Sequence, residues 1–202
     1  MNAPVSRGLL LRGLVVLLFG FLALALGLGA YVWRVRVSAA KLVTAANQIH
    51  SSADADRTIA AWPHGSRHYS ESRSPDGEGR AYKMEVGNGL LSKIHVTPSS
   101  SLVLEVITRS GELQLVVLGM YTDRSSVWVQ EDFTTKGPSP LSVKTQRDAS
   151  GKPAKVLVMF TAGLPEAEKE RAFALDPSCL AKIGGCESAE EILPAVSRLN
   201  DR

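Results

Sequence analysis

The stretch from Gly13 to Trp33 reads GLVVLLFGFLALALGLGAYVW and decides how the rest of the sequence is interpreted. It contains 21 residues and no charged side chain. At a rise of about 1.5 Å per residue, a helix of this length spans about 30 Å, the thickness of a bilayer's hydrocarbon core. Tyr31 and Trp33 stand at its end, where aromatic rings favour the headgroup region. The sequence therefore predicts a transmembrane anchor over residues 13–33, after a short basic segment over residues 1–12.

A cleaved signal peptide is the alternative interpretation of the same stretch. The apolar run is longer than the hydrophobic region of about 7–15 residues that is typical of signal peptides. The tripeptide Leu28-Gly29-Ala30 resembles a cleavage site, but Leu28 is large where a small residue is preferred. We therefore expect a retained signal-anchor and a single-pass membrane protein.

The part of the chain after this stretch is close to neutral. The 202-residue sequence carries 23 basic and 20 acidic residues, and two of the basic residues, Arg7 and Arg12, precede the span. The remaining 21 basic and 20 acidic residues give a net charge of +1. Non-specific binding to nucleic acid requires a clustered basic surface, and the sequence contains no such cluster. We expect the lipid bilayer as a partner and no nucleic acid.

The orientation of the anchor is not decided by flanking charge. Arg7 and Arg12, with the amino terminus, face Arg34, Arg36 and Lys41 across the span, which is a tie under the positive-inside rule. Long domains also cross the membrane largely regardless of charge.

The two cysteines favour one orientation. Cys179 and Cys186 are the only cysteines of the sequence, lie seven residues apart and enclose Gly184-Gly185. This spacing predicts a disulfide, which persists in an oxidising compartment. Two inert buried thiols in a cytoplasmic domain are the alternative. We favour the disulfide, and with it an extracytoplasmic domain of the cell envelope.

Hydrophobic periodicity changes twice along the rest of the chain. Residues 34–62 have helical spacing and predict juxtamembrane helices, with a first helix that continues the anchor or follows a short break. Residues 63–202 predict one domain with a helical C-terminal tail that starts near Pro165. Within this tail, Asp176-Pro177 and Gly184 predict the start and end of a second helix of about two turns, and Ser188 with Glu191 fits a capping box. Between these helical parts we predict seven strands: 66–73, 80–86, 102–108, 112–121, 126–133, 141–147 and 154–161.

These elements predict an α+β fold. Strand follows strand across short polar turns, so we expect a six- to seven-stranded antiparallel meander with short helices at both ends. The strands predicted at 112–121 and 154–161 are apolar on both faces. Such strands are normally covered on both sides. We therefore expect the sheet to curl on itself, to carry helices on both faces, or to leave an apolar groove.

Candidate catalytic and metal-binding residues are few. His64 and His68 have a metal-ligand spacing only in a helix, which Pro63 and Gly65 disfavour, and the sequence offers no Cys and no third His nearby. Ser38 and Lys41 match S-x-x-K without the other motifs of that enzyme class.

The remaining ionisable residues of interest have ordinary structural interpretations. His50, at a helix end, and His95 are interpreted as structural. Glu131 and Asp132 are adjacent in a strand, point to opposite faces and are interpreted as solvated acids of a strand end. We predict no catalytic, cofactor-binding or metal-binding residue.

Small residues recur inside the anchor. Gly13, Gly20 and Gly27 follow one another at seven-residue intervals, and Ala23 and Ala30 lie three positions after Gly20 and Gly27. Such a seam allows membrane helices to approach closely, although Gly and Ala are also common in spans. A homodimer through the transmembrane helix is therefore one expected interaction.

The sequence predicts where the protein lies more clearly than what it does. We expect a single-pass anchored, extracytoplasmic domain that acts as a non-enzymatic binding or assembly module of the envelope, with an envelope protein as partner. The alternatives are a small envelope enzyme whose site forms only in three dimensions, and a structural subunit of a larger assembly. A cleft that gathers histidines and acids would favour the enzyme, and an apolar groove would favour binding.

Overall fold

A computed structural model describes residues 7–62, 69–73, 77–135 and 141–195 of the chain. The chain divides into two units, Met1–Arg34 and Val35–Arg202. Helix α1 runs from Arg7 to Gln48 and contributes to both units. The juxtamembrane helix is thus continuous with the apolar helix.

The first unit is the apolar part of α1. Within the described residues, one helix, Arg12–Gln48, is long and apolar enough to cross a membrane, with a mean hydropathy of 2.5 over its most apolar window. None of that window is buried. A signal sequence near the amino terminus can meet the same criteria of helix length and hydropathy, so this helix supports a membrane span without fixing its fate or its orientation.

The second unit is built on one mixed sheet. The described residues form the strands β1 (Tyr69–Arg73), β2 (Gly79–Gly87), β3 (Ser100–Arg109), β4 (Glu112–Thr122), β5 (Ser126–Asp132), β6 (Ser142–Arg147) and β7 (Pro153–Thr161). The sheet order is β1-β2-β3-β4-β5-β7-β6. The helices α2 (Ser52–Ala61), α3 (Gly89–Lys93), α4 (Glu166–Phe173) and α5 (Ala189–Ile192) and the 3-10 turn Pro177–Leu180 complete the described elements.

The meander prediction is right for β1 to β5 and for the antiparallel pairing of β6 with β7, and it is wrong in placing β6 next to β5. β1 to β5 pair antiparallel in chain order, but β7 pairs parallel with β5 and β6 pairs antiparallel with the far side of β7. The compositions of β6 and β7 explain why β7, and not β6, lies beside β5. β7 reads PAKVLVMFT, while β6 reads SVKTQR. An apolar strand gains most from neighbours on both sides, whereas a short polar strand is suited to the exposed edge of a sheet.

The core lies on one face of the sheet. Alternate strand residues form rows across it, and one such row is Leu104, Leu118, Val129 and Val158, all fully buried. Residues 35–49 complete this core with a helical stripe of Val35, Ala39, Leu42, Ala46 and Ile49, each at most 6% exposed. The predicted juxtamembrane amphipathic helix therefore packs into the domain.

A bulge in β4 corrects the predicted alternation of that strand. Ile107 pairs with Leu115 and Thr108 pairs with Leu113, so Gln114 is an extra residue. Leu113 consequently turns to the buried side, where it is 6% exposed, while Leu115 stays half-buried on the other face.

The C-terminal tail differs from prediction in its second helix. Asp176 does cap the next segment, since its carboxylate accepts from the backbone N–H of Ser178 at 2.8 Å. The segment is a single 3-10 turn, Pro177–Leu180, instead of a helix that reaches Gly184. The predicted capping box at Ser188 is wrong too. The Ser188 side chain makes no capping hydrogen bond, since the backbone N–H of Glu191 donates to the Ser188 carbonyl oxygen at 3.2 Å. The Glu191 carboxylate accepts from Lys182 and from the backbone N–H of Glu187 instead of that of Ser188.

Candidate functional site

The second face of the sheet, called here the open face, is half-exposed. Its partly accessible apolar members are Ile107, Leu115, Val117, Trp128, Leu157 and Met159, while Val103, which pairs with Gly119, is buried. Helix α4 packs on the opposite, buried face through Phe173, whose ring meets Phe160 edge-on at 5.6 Å. Of the three arrangements expected for strands that are apolar on both sides, the described residues show an apolar surface left open.

Trp128 is the fixed centre of the open face. Its paired residue on β4 is Gly119, and a Cβ atom at position 119 would lie 2.1 Å from Cε3 of the indole. The ring therefore lies flat on the glycine backbone. Tyr121 stacks beside it with a centroid distance of 6.3 Å, and the Tyr121 hydroxyl donates to Glu85 at 3.1 Å. The indole therefore contacts the Gly119 backbone on β4 and the Tyr121 ring.

A groove of about 610 Å³ runs from Trp128 towards the β6 edge. It is lined by Ser126, Trp128, Lys144, Thr145, Gln146, Lys155, Val156 and Leu157. Register explains the lining: Trp128 pairs with Leu157, which pairs with Lys144, and Ser126 pairs with Lys155, which pairs with Gln146. The described lining combines apolar surface and two exposed ammonium groups with no carboxylate or imidazole, so it has the chemistry of binding and lacks an acid–base pair.

A second polar centre, called here the Glu131 cluster, is buried on the helix side of the sheet. Lys169 Nζ lies 2.8 Å from Glu131 Oε2, and the two side chains are 3% and 2% exposed. The same ammonium group donates to the carbonyl oxygen of Ile49 at 3.0 Å and lies 3.1 Å from His50 Nδ1. The rings of Phe133 and Phe173 lie 6.0 Å from it. One lysine thus ties β5 and α4 to the segment that follows α1.

Burial raises the pKa of the Glu131 carboxyl above its ordinary value, and the neighbouring Lys169 only partly offsets this effect. His50 extends the cluster to the surface, where its Nδ1 lies 3.9 Å from Glu166 Oε2. His50 and Glu166 are about half exposed, whereas Lys169 and Glu131 are sealed. A substrate could therefore reach the rim of the cluster but not its ion pair.

The interpretation of Glu131 as a solvated acid is wrong. Glu131 continues the alternation of Val127 and Val129 and so faces the core. Lys169 lies three and four residues before Ala172 and Phe173, which puts it on the buried side of α4. The signal was present in the sequence: an acid at a core position of a strand and a base at a core position of a helix. Asp132 does point away, and its carboxylate accepts from the backbone N–H and the hydroxyl of Thr134.

The other candidate residues of the sequence, for which no catalytic role is predicted, do not converge on a catalytic centre in the described structure. His64 and His68 lie outside the described residues. His95 is exposed in the turn after α3, with a φ of 57°. Lys41 is exposed on α1. Among the described residues, no group of three or more His, Cys, Asp or Glu side chains is arranged to hold a metal ion.

Cys179 and Cys186 lie at disulfide distance, with Cα atoms 5.3 Å apart. Both residues are buried. The intervening Gly184 and Gly185 have φ values of 79° and 72°, which L side chains rarely adopt, so these glycines allow the chain to reverse. The predicted geometry of the pair is therefore present, although by means of a 3-10 turn and not a two-turn helix.

The glycine seam of the anchor is accessible. In the described part of α1, a Cβ atom at Gly13, Gly20 or Gly27 would meet no atom within 4 Å. Ala23 and Ala30 are exposed as well. The seam has no partner in a single chain, and its role in association stays a prediction.

Comparison with protein-family models, with curated proteins and with solved structures finds no match for this chain.

Proposed function

We propose that this chain is a membrane-anchored, non-enzymatic binding module of the cell envelope, whose open face receives a protein partner. The open face carries the proposal, because Trp128 lies over Gly119 and beside Tyr121, and this indole and the neighbouring apolar side chains are left half-exposed. Rigid aromatic side chains at the centre of an apolar surface are typical of the residues that dominate binding energy. The lysines that line the groove favour a partner with an acidic segment.

Anchoring and orientation are parts of the same proposal. The apolar half of α1 supports a span, and the cysteine pair at disulfide distance supports an oxidising compartment. A C-terminal reporter that is active only outside the cytoplasm tests the orientation. Reporter activity supports an extracytoplasmic domain, whereas an inactive but expressed fusion contradicts it.

Photocrosslinking in native membranes tests the open face. A photoreactive amino acid at position 144, on the rim of the groove, should yield one discrete protein adduct. Position 57 on α2 is the matched control, because the Arg57 side chain is 78% exposed and lies away from the groove. Leu157→Asp should abolish the adduct at position 144 without unfolding the domain, since Leu157 is only half-buried. Equal adducts at both positions, or an adduct that survives Leu157→Asp, would contradict the proposal.

Self-association through the anchor is a further element. Gly20→Ile should weaken it in a membrane reporter assay, because the larger side chain forces two backbones apart. Leu18→Ile is the control, since residue 18 lies about 200° around the helix from residue 20. An unchanged signal for Gly20→Ile would show that the glycines reflect only the ordinary composition of a membrane span.

A small envelope enzyme is the second candidate, and the Glu131 cluster is the observation that favours it. His50 and Glu166 are accessible and are backed by a buried ion pair. His50→Gln would remove the imidazole while keeping a polar side chain. Loss of an envelope phenotype with full folding and an unchanged adduct at position 144 would favour the enzyme over the binding module.

A further inference from the structure

The exposed large apolar side chains of the second unit gather at one end of the sheet. In the described residues after the apolar helix they are Leu90 (45% exposed), Ile94 (46%), Val96 (38%) and Ile183 (82%). The first three belong to α3 and the turn after it, and Ile183 lies between the two cysteines. These four residues are called the end patch.

Hydrogen bonds and packing hold the two parts of the end patch together. A Cβ atom at Gly185 would lie 2.9 Å from Cγ of Pro98, so the cysteine loop lies against the segment that follows Val96. The carbonyl oxygen of Cys186 accepts from the Thr122 hydroxyl at 3.5 Å, and Thr122 pairs with Ser100 at the start of β3. Both parts therefore lie at the end of the sheet where β4 finishes.

The buried Asn88 side chain holds the α3 part of the end patch in place. Its amide nitrogen donates to the Thr97 hydroxyl at 2.8 Å and to the carbonyl oxygen of Pro98 at 2.7 Å. Its amide oxygen accepts from the backbone N–H of Ser100 at 3.0 Å, and the side chain is 1% exposed. A buried amide with all these partners keeps Leu90, Ile94 and Val96 projecting outwards in a defined shape.

We propose that the end patch inserts into the surface of the lipid bilayer that carries the anchor. This inference rests on the membrane anchoring proposed above. The predicted span ends at Trp33, and the first buried residue of the second unit is Val35, so the sequence contains no linker that would carry the domain away from a membrane. Aliphatic side chains beside the exposed Lys93 match the interface, where apolar groups enter the acyl boundary and ammonium groups meet anionic headgroups.

Photocrosslinking of the full-length chain in vesicles tests the inference. The protein, with a photoreactive amino acid at position 94 or 183, is reconstituted into vesicles of phosphatidylethanolamine and phosphatidylglycerol. After irradiation, mass spectrometry identifies lipid adducts. Position 112 is the control, because Glu112 is exposed and begins β4, at the opposite end of that strand from Thr122. We expect lipid adducts at positions 94 and 183 and none at position 112.

Second-site variants separate insertion from mere proximity. Ile183→Asp should strongly reduce the lipid adduct at position 94, whereas Ile183→Leu should preserve it. Equal lipid adducts at positions 94 and 112, or adducts at position 94 with a second protein chain, would overturn the proposal. Extraction of the whole protein from vesicles by alkaline carbonate would instead show that the anchoring itself is wrong.

Discussion

Lys169 Nζ lies 2.8 Å from Glu131 Oε2 in a part of the domain that water does not reach. Removing two charges from water is costly, so such a pair is weak evidence for stability by itself. Removing one partner is costlier, because the other charge then remains buried without compensation. The pair thus determines which arrangement of β5, α4 and the Ile49 segment is tolerated.

A double-mutant cycle should show this dependence. We expect Lys169→Met to lower the free energy of unfolding by about 3–5 kcal/mol, because Glu131 and the carbonyl oxygen of Ile49 lose their cation. The double variant Glu131→Leu/Lys169→Met should recover most of that loss. Urea denaturation followed by circular dichroism measures both values. If the loss of stability in the double variant equals the sum of the losses in Lys169→Met and Glu131→Leu, the two residues are not coupled.

Stability should also depend on pH through Glu131. The pKa of this carboxyl is raised in the folded state by burial. Between the ordinary value near 4.5 and the raised value, the folded state therefore holds a proton that the unfolded state has released. The contribution of Glu131 to stability is present below this window and falls as the pH rises through it.

Comparison with a variant isolates that contribution from other groups. Glu131→Gln keeps the shape without the titration, so the decline in the free energy of unfolding above about pH 4.5 should be shallower in the variant. Identical pH profiles for the two proteins would exclude the assignment to Glu131.

Gly119→Ala should disturb the open face directly. The added Cβ would meet the indole of Trp128 at 2.1 Å, a distance that forces the ring to move. We expect a loss of about 1–3 kcal/mol in stability, a changed near-ultraviolet dichroism signal and a weaker adduct at position 144. Gly89→Ala is the control, because a Cβ atom there would meet nothing within 4 Å and the φ angle is ordinary. An unchanged tryptophan signal in Gly119→Ala would show that the ring is not held as described.

Cys186→Ser should loosen the C-terminal tail while the sheet stays folded. The chain-entropy model gives about 2–3 kcal/mol for a loop of this size. We expect faster proteolysis near Gly184-Gly185 and little change in far-ultraviolet dichroism. Thiol labelling of unreduced membranes provides the independent check, since full alkylation of both cysteines would exclude a disulfide.

Sequence periodicity predicted the strands of the sheet more successfully than their order. Each predicted strand contains its own alternation, and all seven are present. Their order depends on competition for interior places, in which the apolar β7 displaces the polar β6 from the neighbourhood of β5. Assigning consecutive strands to hairpins ignores that competition, although the compositions of the two strands indicate its outcome.

The candidate site, too, could be predicted from the sequence only in part. The two-sided apolar pattern of β4 and β7 predicted that one face would need a partner, but not that Gly119 would seat an indole from the next strand. The Glu131 cluster required the joint interpretation of two segments that lie 38 residues apart in the sequence. Local patterns do not pair such segments, and Glu131 considered alone is interpreted as solvated.

The bond from Lys169 to the carbonyl oxygen of Ile49 joins residues 120 positions apart, and this separation has a consequence for synthesis. At about 5–20 residues per second, a ribosome needs about 6–24 s to add those residues. Throughout that interval the apolar stripe of residues 35–49 has emerged, while the lysine that fastens its end has not been made. The end of that helix therefore lacks this bond until residue 169 has been made, and a chain terminated before residue 169 lacks it altogether.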